Sequence, residues 1–378
     1  MLFRGSKSLT LGVLGGGQLG MFLALEAKNW PIKLHLYLEK DQEAPARAHV
    51  HEVFIGQGWS DEAALLRFCE SCDVIVLENE FVPVEILQKV PRPFVPNLEA
   101  YGIFQDKLKE KLLSQRTGVA TGVFQSVSTL NEVCVCLETW GQLVLKTCRG
   151  GYDGTGNLTV TPETPAPRIE KFLSQGPCIA ERWVEFAHEV AVMVARSETG
   201  EVVYPVAETI QELHICHQVL VPARFSPELL EEIQASALSI VREAKGVGLF
   251  GIEFFLTDKG ELLYNETAPR PHNSAHFSIE GCTSSQFKSA LEIALGLPLT
   301  APELRSNCVA MLNLLGTPGG TARLEPAELF TAEKRGHLWL YGKKESRPGR
   351  KMGHYTLLAD DPVVVLEKLT ALQQRYIL

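Results

Sequence analysis

The stretch GIEFFLTDKGELLYNETAPRPHNSAHF, residues 251–277, decides how the rest of the chain is read. Two apolar runs flank Thr257-Asp258-Lys259-Gly260, so the segment predicts a β-hairpin. With the turn at Asp258-Lys259, Glu253 faces Tyr264, and Glu266 lies two residues further along the same face. Diagonal neighbours on one face are roughly 7–8 Å apart at the backbone, so both carboxylates reach one ion. Side by side without a cation they repel, and oxygen ligands without a His/Cys cluster select Mg2+ or Mn2+ over zinc. Directly after them, Arg270, His272, Asn273, Ser274 and His276 crowd donors into seven residues, a candidate anion site. The alternative is two solvated glutamates on an exposed hairpin, against which the apolar surroundings weigh.

Upstream, LKTCRGGYDGTGN places Lys146 at a strand end, followed by Gly150, Gly151, Gly154 and Gly156. Such a loop presents backbone N–H groups and suits a lid over a triphosphate. It is not a P-loop, since no Gly-Lys-Ser/Thr follows. Lys107 and Lys146 offer point charges for phosphates.

At the other end of the chain, LGVLGGGQLG gives Gly15-x-Gly17-x-x-Gly20 after an apolar run, with Glu39 ending the next one. That pattern matches a dinucleotide fingerprint and on its own suggests an NAD enzyme. Physically it reports only a tight strand-to-helix turn whose free N–H groups favour an anion. Alternating strands (Leu9–Leu14, Lys33–Leu38, Val74–Leu77) and helices (from Gly17, and Asp61–Cys72) predict an open parallel sheet, closed by Pro91, Pro93 and Pro96. A charged helix then runs to Gly118, and from about residue 186 strands dominate. Three units follow: an α/β unit over 1–100, a small glycine-interrupted unit over 101–182 and a larger α+β unit over 183–378.

The 378 residues carry a net charge of −9, which argues against nucleic acid as a partner. No apolar run approaches the roughly 20 residues of a membrane span. Nine cysteines without a secretory signal point to a reducing cytoplasm, and Cys69-x-x-Cys72 lacks the second pair that a zinc site needs. Within this acidic chain, Lys343, Lys344, Arg347, Arg350 and Lys351 concentrate positive charge, either a solvated loop or an anion site.

Taken together, GVLGGGQLG, KTCRGGYDGTGN, ELLYNETAPRPHNSAHFSIEGCTSSQF and LYGKKESRPGRKMGH resemble the ATP-grasp superfamily from end to end. Within it they resemble the N5-carboxyaminoimidazole ribonucleotide synthetases, ligases of purine biosynthesis. The resemblance implies a Rossmann-like pre-ATP-grasp domain, a glycine-loop lid domain and a mixed C-terminal domain. It implies ATP-dependent carboxylation of 5-aminoimidazole ribonucleotide by bicarbonate, with Mg2+ or Mn2+, in a cytoplasmic homodimer. By the same resemblance, Lys107 and Lys146 touch ATP phosphates under the loop Gly151, Tyr152, Asp153, Gly154, Thr155, Gly156 and Asn157. Glu181, Arg182, Trp183 and Val184 edge the adenine, Glu189 holds the ribose, and Gln211 and Asn265 adjoin the nucleotide. Glu253 and Glu266 bind the metal, while Tyr152, Asp153, His272 and Asn273 face the reacting groups. Gln18, Leu19, Glu78, Glu80, His272, Lys343 and Arg350 hold the acceptor ribonucleotide. The chain departs from the family pattern at Thr155, where a cation is usual, at Ala275 in place of glycine, and at Thr209 and Gln211.

Three other readings compete: an NAD-dependent oxidoreductase, a formate-using glycinamide ribonucleotide transformylase of the same superfamily, and a catalytically silent nucleotide-binding subunit. The first leaves the carboxylate hairpin and the basic tail unexplained. RPGRKMGH speaks against the second, and only the departures at Thr155 and Gln211 favour the third.

Overall fold

The computed structural model describes residues 8–151, 156–212, 215–318 and 322–378. The first sheet takes β1 (Thr10–Leu14), β2 (Lys33–Leu38), β3 (Glu52–Ile55), β4 (Val74–Leu77) and β5 (Phe94–Val95) in the order β3-β2-β1-β4-β5. Every pairing is parallel, and β1 and β4 are almost wholly apolar because both faces are covered. Helix α1 (Gln18–Ala27) packs on one face and α2 (Glu62–Glu70), capped by Asp61, on the other. The two-residue β5 sits inside the proline cluster read above as the end of this unit. Cys69 and Cys72 are free thiols buried under this sheet, and burial pushes them up to about 12 and about 11.

Two short helices, α3 (Val84–Leu87) and α4 (Leu98–Phe104), lead to α5 (Lys107–Thr117). Asp106 caps α5 through the N–H groups of Leu108 and Lys109, and Gly118 ends it in the left-handed region, φ +77°. A small antiparallel sheet follows in the order β6-β9-β7-β8: β6 (Phe124–Val127), β7 (Leu143–Thr147), β8 (Asn157–Val160) and β9 (Cys178–Arg182). Alternation sets its faces. Leu143 and Leu145 pack inward under helices 130–140 and 166–173, which points Val144 and Lys146 into the cleft.

The third sheet has nine strands and runs β15-β14-β10-β12-β13-β16-β18-β17, with β11 (Glu201–Val203) beside β10. These are β10 (His188–Arg196), β12 (Ala207–Glu212), β13 (Ile215–Val221), β14 (Gly248–Leu256), β15 (Leu262–Ala268), β16 (Cys308–Leu315), β17 (Gly336–Leu340) and β18 (Lys351–Ala359). Helices 227–243 and 286–294 cover parts of its two faces. One apolar cluster joins the first and third sheets: Leu11, Val13 and Phe22 meet Phe287, Met193 and Met311. Among the described residues no helix is long and apolar enough to cross a membrane.

The decisive hairpin differs from its sequence reading by a shift in register. Phe254, not Glu253, faces Tyr264, and beyond an irregularity Glu253 pairs directly with Glu266. The cause is one more residue in each place. Gly260, at φ +79°, closes a three-residue loop at 258–260, and Asn265 is the extra residue of a β-bulge. The bulge reverses the alternation, so Tyr264 joins Phe254 in the core while Asn265 and Glu266 both turn to the opposite side.

Candidate active site

A cavity of about 610 Å3 lies where the three sheets meet. Its floor is the β14–β15 hairpin, which contributes Glu253, Asn265 and Glu266. Glu189 of β10 stands beside them. Burial and mutual repulsion push Glu253 up to about 8, and burial together with Glu266 lifts Glu189 to about 7. Glu266 behaves oppositely: Lys107 donates to its Oε2 at 2.7 Å and holds it down to about 2. His272 Nε2 lies 3.6 Å from Glu253 Oε1. Among the described residues, buried oxygens of Glu189 (Oε2) and Asn265 (Oδ1) find no hydrogen-bond partner.

This donor set fits Mg2+. Among the described residues no group of three or more His, Cys, Asp or Glu converges on one point, but Mg2+ is commonly held by one or two carboxylates and completed by substrate phosphates and water. The facing Glu253 and Glu266 supply such a pair, and the raised Glu253 marks a place where a cation relieves repulsion.

Opposite the hairpin, the small sheet brings Lys146, and Glu181 Oε2 accepts its Nζ at 3.0 Å. Arg182, Trp183 and Val184 follow along the rim, with Gly150 and Gly151 after β7 and Asn157 at the start of β8. Phe186 stacks on Phe255, with ring centroids 4.3 Å apart and planes 12° apart, and gives this end an aromatic wall that the sequence reading missed. Thr209 and Gln211 of β12 line the cavity near Glu189. Tyr152, Asp153, Gly154 and Thr155 lie outside the described residues. Gly156, at φ +85°, sits beside the lining rather than in it.

The N-terminal glycine turn forms the other end. Gly15, at φ +121°, and Gly17 leave no room for a Cβ because the Glu78 carboxylate fills that space; at Gly17 a Cβ would lie 2.7 Å from Glu78 Oε1. Gly20 N–H donates to Glu78 Oε1 at 3.4 Å, and a Cβ on Gly20 would meet the Gly15 carbonyl at 2.6 Å. The fingerprint thus cradles a side chain of its own protein where a dinucleotide would need the space. Burial lifts Glu78 to about 7, against the opposing pull of Arg270 and Lys343. Glu80 makes a two-pronged pair with Arg270, both contacts 3.0 Å.

Gln18, Leu19, Glu78 and Glu80 face this end of the cavity together with His272 and Asn273. Asn273 is fixed by reciprocal amide bonds to Asn313 at 2.9 and 2.8 Å. Lys343 and Arg350 do not line the cavity. Lys343 donates to the Lys351 carbonyl at 2.6 Å, and Arg350 to the Glu345 carbonyl at 2.7 Å. The tail residue that reaches the cavity is Lys351, the first residue of β18. Its place in the basic cluster was legible; its direction required the strand register.

The arrangement can therefore hold a polyphosphate between lysines and a carboxylate pair, with a second anion-tolerant pocket adjoining. Family comparisons agree with that geometry. Residues 8–105 match the ribonucleotide synthetase preATP-grasp domain, 112–287 the ATP-grasp domain, and 309–368 the phosphoribosylaminoimidazole carboxylase C-terminal domain. The N5-carboxyaminoimidazole ribonucleotide synthase of Bacillus subtilis is 34% identical over 364 residues, covering 95% of this chain and 94% of its own. The phosphoribosylaminoimidazole carboxylase of Ogataea methanolica is 35% identical and is matched over 93% of this chain but 67% of its own length. A solved N5-carboxyaminoimidazole synthase from Aspergillus clavatus, in complex with ADP and 5-aminoimidazole ribonucleotide, superposes with a TM-score of 0.87 at 30% identity, over 97% of this chain and 98% of that one. Built on the ATP-grasp fold, the chain belongs to the N5-carboxyaminoimidazole ribonucleotide synthase family.

Proposed function

We propose that this chain couples ATP cleavage to carboxylation of 5-aminoimidazole ribonucleotide by bicarbonate, releasing ADP, phosphate and the N5-carboxy product in purine biosynthesis. The observation that carries the reading is the joining of two pockets in one cavity: a lysine-and-carboxylate end suited to Mg2+-ATP and a Glu78/Arg270/His272 end suited to a small polar acceptor. The relatives' names and the Aspergillus complex support the choice of acceptor.

Bicarbonate is a poor electrophile because its carbon carries no good leaving group. Transfer of the γ-phosphoryl group to a bicarbonate oxygen supplies one, giving carboxyphosphate and ADP. The amine nitrogen then bonds to the carboxyl carbon, directly or through released CO2, phosphate leaves with the C–O electron pair, and the nitrogen sheds a proton. Lys107 and Lys146 would neutralise phosphate charge; each ammonium has three donors, so a phosphate oxygen can be added beside the carboxylate already bound. Glu253 and Glu266 would hold Mg2+, whose chemistry here is charge neutralisation at the transferring group. Glu181 to Val184 would border the adenine and Glu189 the ribose, with Gln211 next to it. His272 and the Asn273 clamped by Asn313 would orient the reacting groups. Gln18, Leu19, Glu78 and Glu80 would hold the acceptor, and Lys343, Arg350 and Lys351 would draw in its phosphate. Gly151 to Asn157 would cover the nucleotide as a lid, within a lid domain over 101–182. A homodimer in the cytoplasm is the further reading that the family resemblance supports.

The test is ADP release with 5-aminoimidazole ribonucleotide, with and without bicarbonate, against glycinamide ribonucleotide with formate. Release that requires the aminoimidazole and bicarbonate is expected; dependence on formate would transfer the chain to the transformylase reading.

A further inference from the structure

Two buried charges on α5 have no part in the chemistry above. Glu110 and Lys111 are each 3% exposed, in a helix whose first residue, Lys107, already serves Glu266. Burying a carboxylate and an ammonium is costly unless both are fully engaged, so their partners show what they hold in place.

Glu110 grips the bulge of β15 from both sides. Its Oε2 accepts the Tyr264 hydroxyl at 3.1 Å and the Thr267 backbone N–H at 3.3 Å. Those two residues bracket Asn265 and Glu266, and the Tyr264 hydroxyl also meets Thr267 Oγ1 at 2.8 Å. Lys111 holds the near side: its Nζ donates to the Tyr264 carbonyl at 3.3 Å and to Thr121 Oγ1 at 3.0 Å. The same ammonium lies 3.5 Å from Glu181 Oε1, on the strand that carries the nucleotide rim. One helical turn thus touches both the carboxylate hairpin and the small sheet.

We propose that Glu110 and Lys111 are positioning residues for the nucleotide and its metal. Glu110 holds the bulge that turns Glu266 into the cavity, and Lys111 ties that hairpin to Glu181 of the small sheet. The assignment rests on the Mg2+-nucleotide reading of the cavity but not on the identity of the acceptor. Without an acceptor at Glu110, the Thr267 N–H and Tyr264 hydroxyl lose their anchor and the bulge relaxes toward regular pairing, which swings Glu266 toward the Tyr264 side. Without Lys111, Glu181 retains Lys146 alone and turns from the rim.

Calorimetric titration of ADP at fixed Mg2+, and of Mg2+ at fixed ADP, tests this without turnover. Glu110→Leu is expected to weaken Mg2+-dependent ADP binding by roughly ten- to a hundred-fold, the usual effect of removing a group that orients a metal ligand. Glu110→Gln, whose amide oxygen can accept both bonds, should restore most of it. Lys111→Met should weaken ADP with or without Mg2+. Hydrogen exchange of peptides covering 262–268 should rise in Glu110→Leu and stay low in Glu110→Gln. Folded Glu110→Leu protein with wild-type Mg2+ dependence and unchanged exchange at 262–268 would overturn the proposal. So would a Glu110→Gln variant as impaired as the leucine one. Should Glu110→Leu fail to fold, the Gln variant and Lys111→Met still decide it. If wild-type protein binds no Mg2+-ADP, the functional reading fails, whereas loss confined to the variants speaks to positioning alone.

Discussion

Single residues in this cavity are tuned by what surrounds them, and Glu78 shows it most directly. Its carboxyl is set in a glycine cradle with one N–H donor, and burial outweighs the attraction of Arg270 and Lys343. Unfolded, the group loses its proton near the ordinary 4.5; folded, it does so near 7. The folded state therefore binds the extra proton between those values. That contribution to stability is fully present below about 4.5 and is lost as pH rises through 7. Glu78→Gln is uncharged at every pH, so at pH 8 it should be more stable than wild type by up to about 3 kcal/mol, and near pH 4.5 equal to it. Thermal denaturation from pH 4.5 to 8 measures this, and a pH-independent difference would refute it. The same variant should lose acceptor affinity, a stability gain at the expense of function. Glu253 and Glu266 give the opposite prediction. Alanine at either should abolish ATP turnover, a loss beyond the roughly 10- to 100-fold typical of an outer supporting group. Near-normal turnover in both variants would end the metal assignment.

Elements carry the next layer, and there the sequence was legible to the extent that periodicity is local. β2 and β4 fall on the residues that alternation and apolar runs mark, and α5 stops at the glycine expected to stop it. The parallel sheet followed from strand–helix alternation alone. The hairpin register did not, because an extra loop residue at Gly260 and an extra strand residue at Asn265 each displace the pairing without altering the hydrophobic pattern. Cavity residues on strands next to glycine loops were found because charge at a strand end is conspicuous. Glu110 and Lys111 were hidden in a helix that the sequence marks only as rich in charge, and the Phe186–Phe255 stack joins residues far apart in sequence. The N-terminal glycines illustrate a pattern that names a turn rather than a ligand. Gly20 is the tight point, since its α carbon faces the Gly15 carbonyl across the turn into α1. Gly20→Ala should force α1 off β1 and cost roughly 1–3 kcal/mol, the usual penalty of overpacking. Chemical denaturation reads this directly, and an unchanged midpoint would show that the turn has room to spare.

At the scale of the whole molecule, cores rather than sheets define what unfolds together. The first and third sheets share one cluster, in which Phe22 of α1 packs on Phe287 and Trp339 as well as on its own sheet. The small sheet instead has a separate core of Val127, Leu143, Leu145, Val160, Ile169 and their neighbours, tied to α5 through the Lys111–Glu181 ion pair. A unit with a small private core opens at lower free energy than one whose core is shared. Native-state hydrogen exchange should therefore show strands at 143–147 and 178–182 opening by a sub-global route. Strands at 10–14, 74–77, 190–195 and 309–314 should exchange together at the global free energy, although they lie in different family-defined domains. On the proposed function Mg2+-ATP would bridge the small sheet and the hairpin, so it should raise the protection of 143–147 and 178–182 first, by RT ln(1 + [L]/Kd). If 10–14 and 309–314 instead exchanged with different free energies, the shared cluster would not be a cooperative core. The cavity would then lie between three independently opening units rather than between one cooperative core and the small sheet.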